Sequence, residues 1–313
     1  MKWLLGFALL FVGSALLPFA GPTLGLTSYE SRIEQEGQSL LVTAGALNVQ
    51  QHRGDGRTVV LVHGHPGSAQ MMKPLAEALA RRGYGVVRYD RMGWGYSGQR
   101  PPDQPANPTA HAKDLLDLVE MLELQAPLFV GYSYGGGVVM EANLAASAQV
   151  RDIVLLSSVG KPRALVEEPG LLSRVTGSPL FLRWAFGTDT TMNLVAGALS
   201  QRLMVPESPL PGELEGFLAS LSLPNVPTNW RRESRERTIG FEGYRPQGVR
   251  ACTLILHGAD DQVVRMDTAE FLASAIPNAR LERMDRAGHG MLIAQPERLA
   301  AAIARHEQRC GRG

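Results

Sequence analysis

Residues Leu128–Ala148 read LFVGYSYGGGVVMEANLAASA, and the reading of this stretch decides the fold. Leu128–Gly131 is a short apolar run of strand type, and Tyr134–Ala148 has the composition and length of a helix. Between them, Gly131-Tyr132-Ser133-Tyr134-Gly135 matches G-x-S-x-G. A strand that enters a helix through so tight a turn exposes the serine oxygen, while the flanking glycines keep other side chains away from it. Outside that context Ser133 would merely cap the helix. Within it, Ser133 is the candidate nucleophile.

Working outward, the same alternation continues on both sides. Thr58–His63, Val86–Tyr89, Ile153–Leu156, Thr253–His257 and Arg280–Met284 are strand-like. Ala69–Arg82, Thr109–Leu124, Thr268–Ala275 and Pro296–Arg305 have helical spacing of apolar residues. Ser39–Gln51 adds a small N-terminal hairpin. Such alternation predicts a parallel sheet covered by helices on both faces. It breaks at residues 160–248, where prolines recur from Pro162 to Pro246 among apolar helical pieces such as Leu180–Phe186 and Leu214–Leu221. The stretch is too long for a plain loop and too apolar for a linker, so it reads as an inserted helical lid. The expected organisation is residues 1–29 as a leader, 30–159 and 249–313 as the two parts of one core, and 160–248 as the lid.

The 313 residues carry 31 Lys+Arg against 30 Asp+Glu, a formal charge of +1, which leaves no electrostatic footprint for nucleic acid. The charge is unevenly placed, however. No charged residue stands between Lys2 and Glu30, and Trp3–Ala20 is almost wholly apolar. This run suits an export signal or a membrane anchor, and the poor cleavage site Pro18-Phe19-Ala20 favours the anchor. Lys2 before the run, with Glu30, Arg32, Glu34 and Glu36 after it, orients the body outside the cytoplasm. Residues 3–20 are then the segment for membrane association. Cys252 and Cys310 could pair in an oxidising compartment, but two unpaired thiols is the preferred reading, and with no CxxC or Cys/His cluster no metal site is expected.

A serine hydroxyl needs a base, and the base an orienting acid. After Ser133 the histidines are His257, His289 and His306. His306 lies among charged residues and reads as surface. His257 closes a strand and reads as structural. His289, in the loop Ala287-Gly288-His289-Gly290 after the last strand, can swing over the nucleophile and is the expected base. The acid should follow Thr253–His257, where Asp260 and Asp261 both stand. Spacing alone does not separate them, and Asp261 is preferred as lying further along the turn. An oxyanion needs two donors. The backbone N–H of Tyr134 is one, and that of His65, in the loop after Thr58–His63, is the other. The His65 side chain is expected to be a bystander.

Taken together, His63-Gly64-His65-Pro66-Gly67-Ser68, Asp90–Ser97, Gly131–Gly136, Gly258–Val264 and Gly288-His289-Gly290 resemble the α/β-hydrolase superfamily, specifically its capped single-chain serine hydrolases. The resemblance covers roughly residues 39–307. It implies an eight-stranded, mostly parallel sheet with a lid after the sixth strand, and it supports Asp261, since the family's acid usually stands three residues after a glycine such as Gly258. Many relatives carry His where this chain has Tyr132. Ser133 argues against the branches that use an Asp nucleophile, and Asp90–Ser97 looks like the family's structural loop. The expected activity is hydrolysis of a small or medium carboxylic ester, without cofactor or metal, with Trp184, Phe186 and Trp230 as candidate pocket aromatics. Amidase or aminopeptidase, carbon–carbon hydrolase and perhydrolase-like activities would use the same three residues. A ligand-binding homologue that has lost turnover is the reading from another class.

Overall fold

The computed structural model describes residues 37–162, 165, 181, 225–239 and 243–311. The leader and most of the expected lid, including Trp184 and Phe186, lie outside the described residues. Among the described residues, no helix is long and apolar enough to cross a membrane.

Eight strands form one sheet: β1 (Gln38–Val42), β2 (Gly45–His52), β3 (Thr58–Val62), β4 (Gly85–Tyr89), β5 (Leu128–Tyr132), β6 (Asp152–Leu156), β7 (Cys252–Gly258) and β8 (Ala279–Met284). Their spatial order is β1-β2-β4-β3-β5-β6-β7-β8. β1, β2 and β4 pair antiparallel, and every pairing from β4 through β8 is parallel. The chain folds this way because its central strands are apolar on both sides. Val59 and Leu61 of β3 face a layer built with α1 (Lys73–Ala80), α6 (Met291–Ala294) and α7 (Pro296–Cys310). Val60 and Val62 face a second layer with α2 (Pro108–Met121), α3 (Tyr134–Ala145) and α5 (Met266–Ala275). All four side chains are fully buried. Each such side chain contributes roughly 1.5–3 kcal/mol of burial free energy, so the sheet centre is where the core is anchored.

The helices expected in the core are present with shifted ends: α2 stops at Met121 and α3 at Ala145, while α7 runs on to Cys310. The start of α1 shifts as well. Residues Ala69–Met72 are a 3-10 turn, and the α-helix begins only at Lys73. Pro74 explains the break, because a proline is tolerated in a helix's first turn but not within it. Between β6 and β7 the described chain holds α4 (Val226–Ile239), which lies in the stretch expected to form the lid. The loop after β4 is structural, as expected. Asp90 is buried and accepts hydrogen bonds from the Ala69 amide at 2.6 Å, the Tyr96 amide at 2.9 Å and Asn48 Nδ2 at 2.9 Å. Gly95 has φ +52 and leaves no room for a Cβ against the Asp90 carboxylate, so glycine is required there.

Two expectations fail in this part of the molecule. Cys252 and Cys310 form a disulfide, with a Cα–Cα distance of 6.1 Å. Their separation of 58 residues hid this, since α7 packs back against β6 and β7 and returns its last turn to the start of β7. His306 is not a surface residue but is buried. It shares the helix stripe of Leu299, Ala302 and Ile303, and that period outranks the charges beside it in sequence.

Candidate active site

Ser133 follows β5 and caps α3 with φ 52 and ψ −116, a left-handed conformation that costs a non-glycine residue about 1–3 kcal/mol. Its surroundings hold it there. The Ser133 amide donates to Leu156 O at 2.9 Å, and its carbonyl accepts from the amides of Gly136 at 3.1 Å and Val159 at 3.2 Å. A Cβ at Gly131 would come within 2.6 Å of Gly136 Cα, so the strand and helix meet this closely only because Gly131 has no side chain.

His289 stands in the loop between β8 and α6, and its Nε2 lies 3.1 Å from Ser133 Oγ. Its Nδ1 lies 2.8 Å from Asp261 Oδ2. The other oxygen of Asp261 accepts from the amides of Val263 at 2.8 Å and Val264 at 2.9 Å. Burial pushes the Asp261 carboxyl up, but the His289 hydrogen bond and charge, with the two amides, hold it below the usual carboxylate range. An ionised Asp261 only accepts, so His289 carries its proton on Nδ1 and offers the Nε2 lone pair to the serine hydroxyl. All three side chains are buried. The turn leaves Asp260 exposed and directs Asp261 inward, which resolves the choice that spacing left open. His257 plays the structural part expected of it, with Nε2 2.8 Å from Val264 O and 3.6 Å from Asp261 Oδ2.

The loop after β3 closes the site from the other side. A Cβ on Gly64 would come within 3.1 Å of the Ser133 Cβ, so this turn runs directly beside the serine and carries the His65 amide with it. Tyr134 is the first residue of α3, where helix amides have no acceptor within the helix and the helix dipole is positive. These are the two backbone amides expected to serve as oxyanion donors.

The His65 side chain departs from expectation. Its Nδ1 lies 2.6 Å from Glu233 Oε2, and its ring is edge-on to Trp94 at 5.2 Å and to Trp230 at 5.5 Å. Trp230 is thus the one expected pocket aromatic among the described residues, and it packs on His65 from α4. Glu233 was not foreseen. It sits in the polar run Arg231–Arg237, where an acidic residue among arginines reads as a solvated helix face. The fold instead buries it, and only its three-dimensional partners Arg91, Trp94, His111 and His65 reveal it. Burial alone would raise its carboxyl, yet Arg91 and the two histidines keep it well below the ordinary value.

A nucleophile elbow under an imidazole and a carboxylate, on a mostly parallel eight-stranded sheet, defines a hydrolase. A sequence model of the "Alpha/beta hydrolase family" matches residues 59–302, and the chain belongs to that family. It is 28% identical over 277 residues to a "2-hydroxymuconate semialdehyde hydrolase" of Pseudomonas sp. (strain CF600), covering 84% of this chain and 91% of the relative. Among solved structures, an esterase (EaEST) from Exiguobacterium antarcticum superposes with a TM-score of 0.72 at 22% identity, covering 87% of this chain and 99% of the other. A membrane phospholipase A, described as a bacterial virulence factor, superposes with a TM-score of 0.75 at 21% identity over 100% of this chain and 99% of the other. At these identities the two structures attest the fold.

Proposed function

We propose that the protein is a serine hydrolase that cleaves small or medium carboxylic esters through an acyl-enzyme. Ser133 Oγ attacks the carbonyl carbon while His289 Nε2 takes its proton, and the amides of Tyr134 and His65 bind the oxyanion. Collapse of the tetrahedral intermediate expels the alcohol, which receives that proton from His289. Water then attacks the acyl-enzyme by the same route, with His289 again as base, and frees the acid and Ser133. Asp261 holds the imidazole tautomer and stabilises the imidazolium. The observation that carries this reading is the unbroken relay of 3.1 Å from Ser133 to His289 and 2.8 Å from His289 to Asp261. No metal or cofactor enters the scheme.

The test is a fluorophosphonate probe followed by a p-nitrophenyl ester series of increasing acyl length beside an amide panel. Wild type should label and Ser133→Ala should not; equal labelling of both would sink the proposal. The relative named for a semialdehyde rather than an ester favours a second reading, carbon–carbon bond hydrolysis on the same residues. Turnover of such a substrate in the absence of any ester turnover would select it.

We also infer that the body of the enzyme works outside the cytoplasm, carried there by residues 3–20. The charge-free run and its flanks support this, and so does the Cys252–Cys310 disulfide, a bond that persists in oxidising compartments. Cell fractionation with protease protection tests it, and protein found only in the soluble cytoplasmic fraction would refute it.

A further inference from the structure

Resting on the Ser133 reading, we propose that Glu233 is a positioning residue for the oxyanion turn. It acts from α4 through His65 and Arg91, neither of which is part of the nucleophile–base–acid relay.

The chemistry of the cluster is legible atom by atom. Glu233 Oε1 accepts from Arg91 Nη1 at 2.5 Å, Trp94 Nε1 at 2.8 Å and His111 Nε2 at 2.8 Å. Glu233 Oε2 accepts from His65 Nδ1 at 2.6 Å and from Arg91 Nη2 at 3.3 Å. Its side chain is 1% exposed, and so is that of His111, while His65 is at 4% and Arg91 at 0%. An ionised carboxylate is acceptor only, so every group around it must donate, and His65 is fixed with its proton on Nδ1. This is the arrangement Asp261 imposes on His289, repeated on the turn after β3.

Arg91 carries the constraint into the backbone. Its Nη2 donates to Gly64 O at 2.9 Å and its Nε to His63 O at 3.2 Å, while its own amide donates to His63 Nε2 at 2.9 Å. The guanidinium therefore clamps the two carbonyls that immediately precede His65, and Glu233 clamps both the guanidinium and the His65 ring. One bond to the His65 ring and two to the carbonyls of His63 and Gly64 thus hold the turn whose His65 amide is proposed as an oxyanion donor. His65, Arg91, Trp94 and His111 come from the core: the loops after β3 and β4, and α2. The carboxylate alone comes from the chain between β6 and β7. Seating α4 and ordering the turn are in this way a single event. Arg91 would otherwise be a buried charge without a counter-ion, which a protein does not tolerate in a fixed position.

A purely structural ion pair would hold α4 down and leave turnover per folded molecule unchanged. A positioning role predicts a different signature, because oxyanion donors act in the transition state and lower kcat without raising KM when misplaced. The experiment uses the full chain: E233Q, H65A and the double variant, each with kcat and KM on the best ester, fluorophosphonate labelling and a thermal melt. E233Q should lose about 10- to 100-fold in kcat with KM within about threefold, less than deleting an oxyanion donor outright. In the H65A background the same substitution should cost several-fold less than in wild type, the remainder acting through Arg91. An E233Q enzyme with wild-type kcat, or losses that multiply in the double variant, would overturn the proposal while leaving the Ser133 reading intact. If E233Q does not fold, E233D keeps a charge for Arg91 but draws back from His65. A loss of kcat at constant KM in E233D then supports the role, and an unchanged kcat overturns it. A wild type that neither labels nor turns over ester overturns the hydrolase reading and this inference with it.

Discussion

The phenol of Tyr132 donates to the backbone carbonyl of His289 at 3.0 Å, and the two rings lie 5.0 Å apart, tilted by 41°. The residue just before the nucleophile thereby tethers the loop that carries the base. Many relatives have His at this position, and that imidazole is shorter than a tyrosine. Burial, and then the Asp261 charge, raise the phenol far above its ordinary range, so it remains a neutral donor at every working pH.

Tyr132→Phe should consequently weaken the site without disordering the elbow. The ring and its packing remain, but the buried His289 carbonyl loses its partner, a cost of roughly 1–2 kcal/mol. The expected result is a loss of several-fold in kcat with a small fall in melting temperature, read by ester kinetics and calorimetry. Unchanged kcat would show that the loop is held by other contacts.

Asp261→Asn tests the tautomer argument more sharply. The Asn oxygen can still accept from the Val263 and Val264 amides, which turns its NH2 group toward His289 Nδ1. The ring must then present a lone pair at Nδ1 and put its proton on Nε2, where it faces Ser133 Oγ and cannot act as base. A loss on the order of 10⁴ in kcat is expected with folding intact. A loss below about tenfold would assign the orienting role elsewhere.

How much of this was legible in the sequence depends on the range of the signal. Ser133 and His289 announce themselves by local context, a glycine-flanked turn and a glycine-flanked loop at strand ends. The sheet follows from strands apolar on both faces, such as Val59–Val62. Asp261 was half legible, since two adjacent acids differ only in which way the turn sends them. Glu233 was not legible at all, and the Cys252–Cys310 bond only as an alternative set aside. Each depends on a contact across a long stretch of chain, Glu233 lying 168 residues from His65 and Cys252 lying 58 from Cys310. His306 was misread for a different reason: the charged neighbours were weighed above the stripe of Leu299, Ala302 and Ile303 that it shares.

The disulfide should stabilise the enzyme without serving its chemistry. It joins the start of β7 to the end of α7, whereas Asp261 follows the opposite end of β7. Closing a loop of 58 residues in the unfolded chain is worth about 4 kcal/mol on a chain-entropy basis. A Cys252→Ser/Cys310→Ser variant, or wild type under a strong dithiol reductant, should melt many degrees lower yet keep its kcat at 25 °C. Loss of kcat in proportion to stability would connect α7 to the site after all.

Acid should destabilise the fold from near neutrality, and His306 offers a clean way to see it. Burial lowers the pKa values of His63, His257 and His306, outweighing the Asp152 charge that favours protonation of His306. A base whose pKa is lower folded than unfolded binds its proton preferentially in the unfolded chain. Its stabilising contribution is whole above about 6.5 and is lost as the pH falls from there toward the folded value. Asp261 and Glu233, also held low, extend the loss below about 4. Asp90 and Glu141, whose pKa values burial raises, act in the opposite sense and blunt the slope. Comparison of one histidine with its neutral isostere removes that background. His306→Gln should melt below wild type at pH 8, because it disturbs the packing of α7 against the sheet, but its melting temperature should fall less between pH 7 and pH 5. Calorimetry at four or five pH values decides the matter, and parallel curves for the two proteins would show that His306 takes up no proton on unfolding in that window.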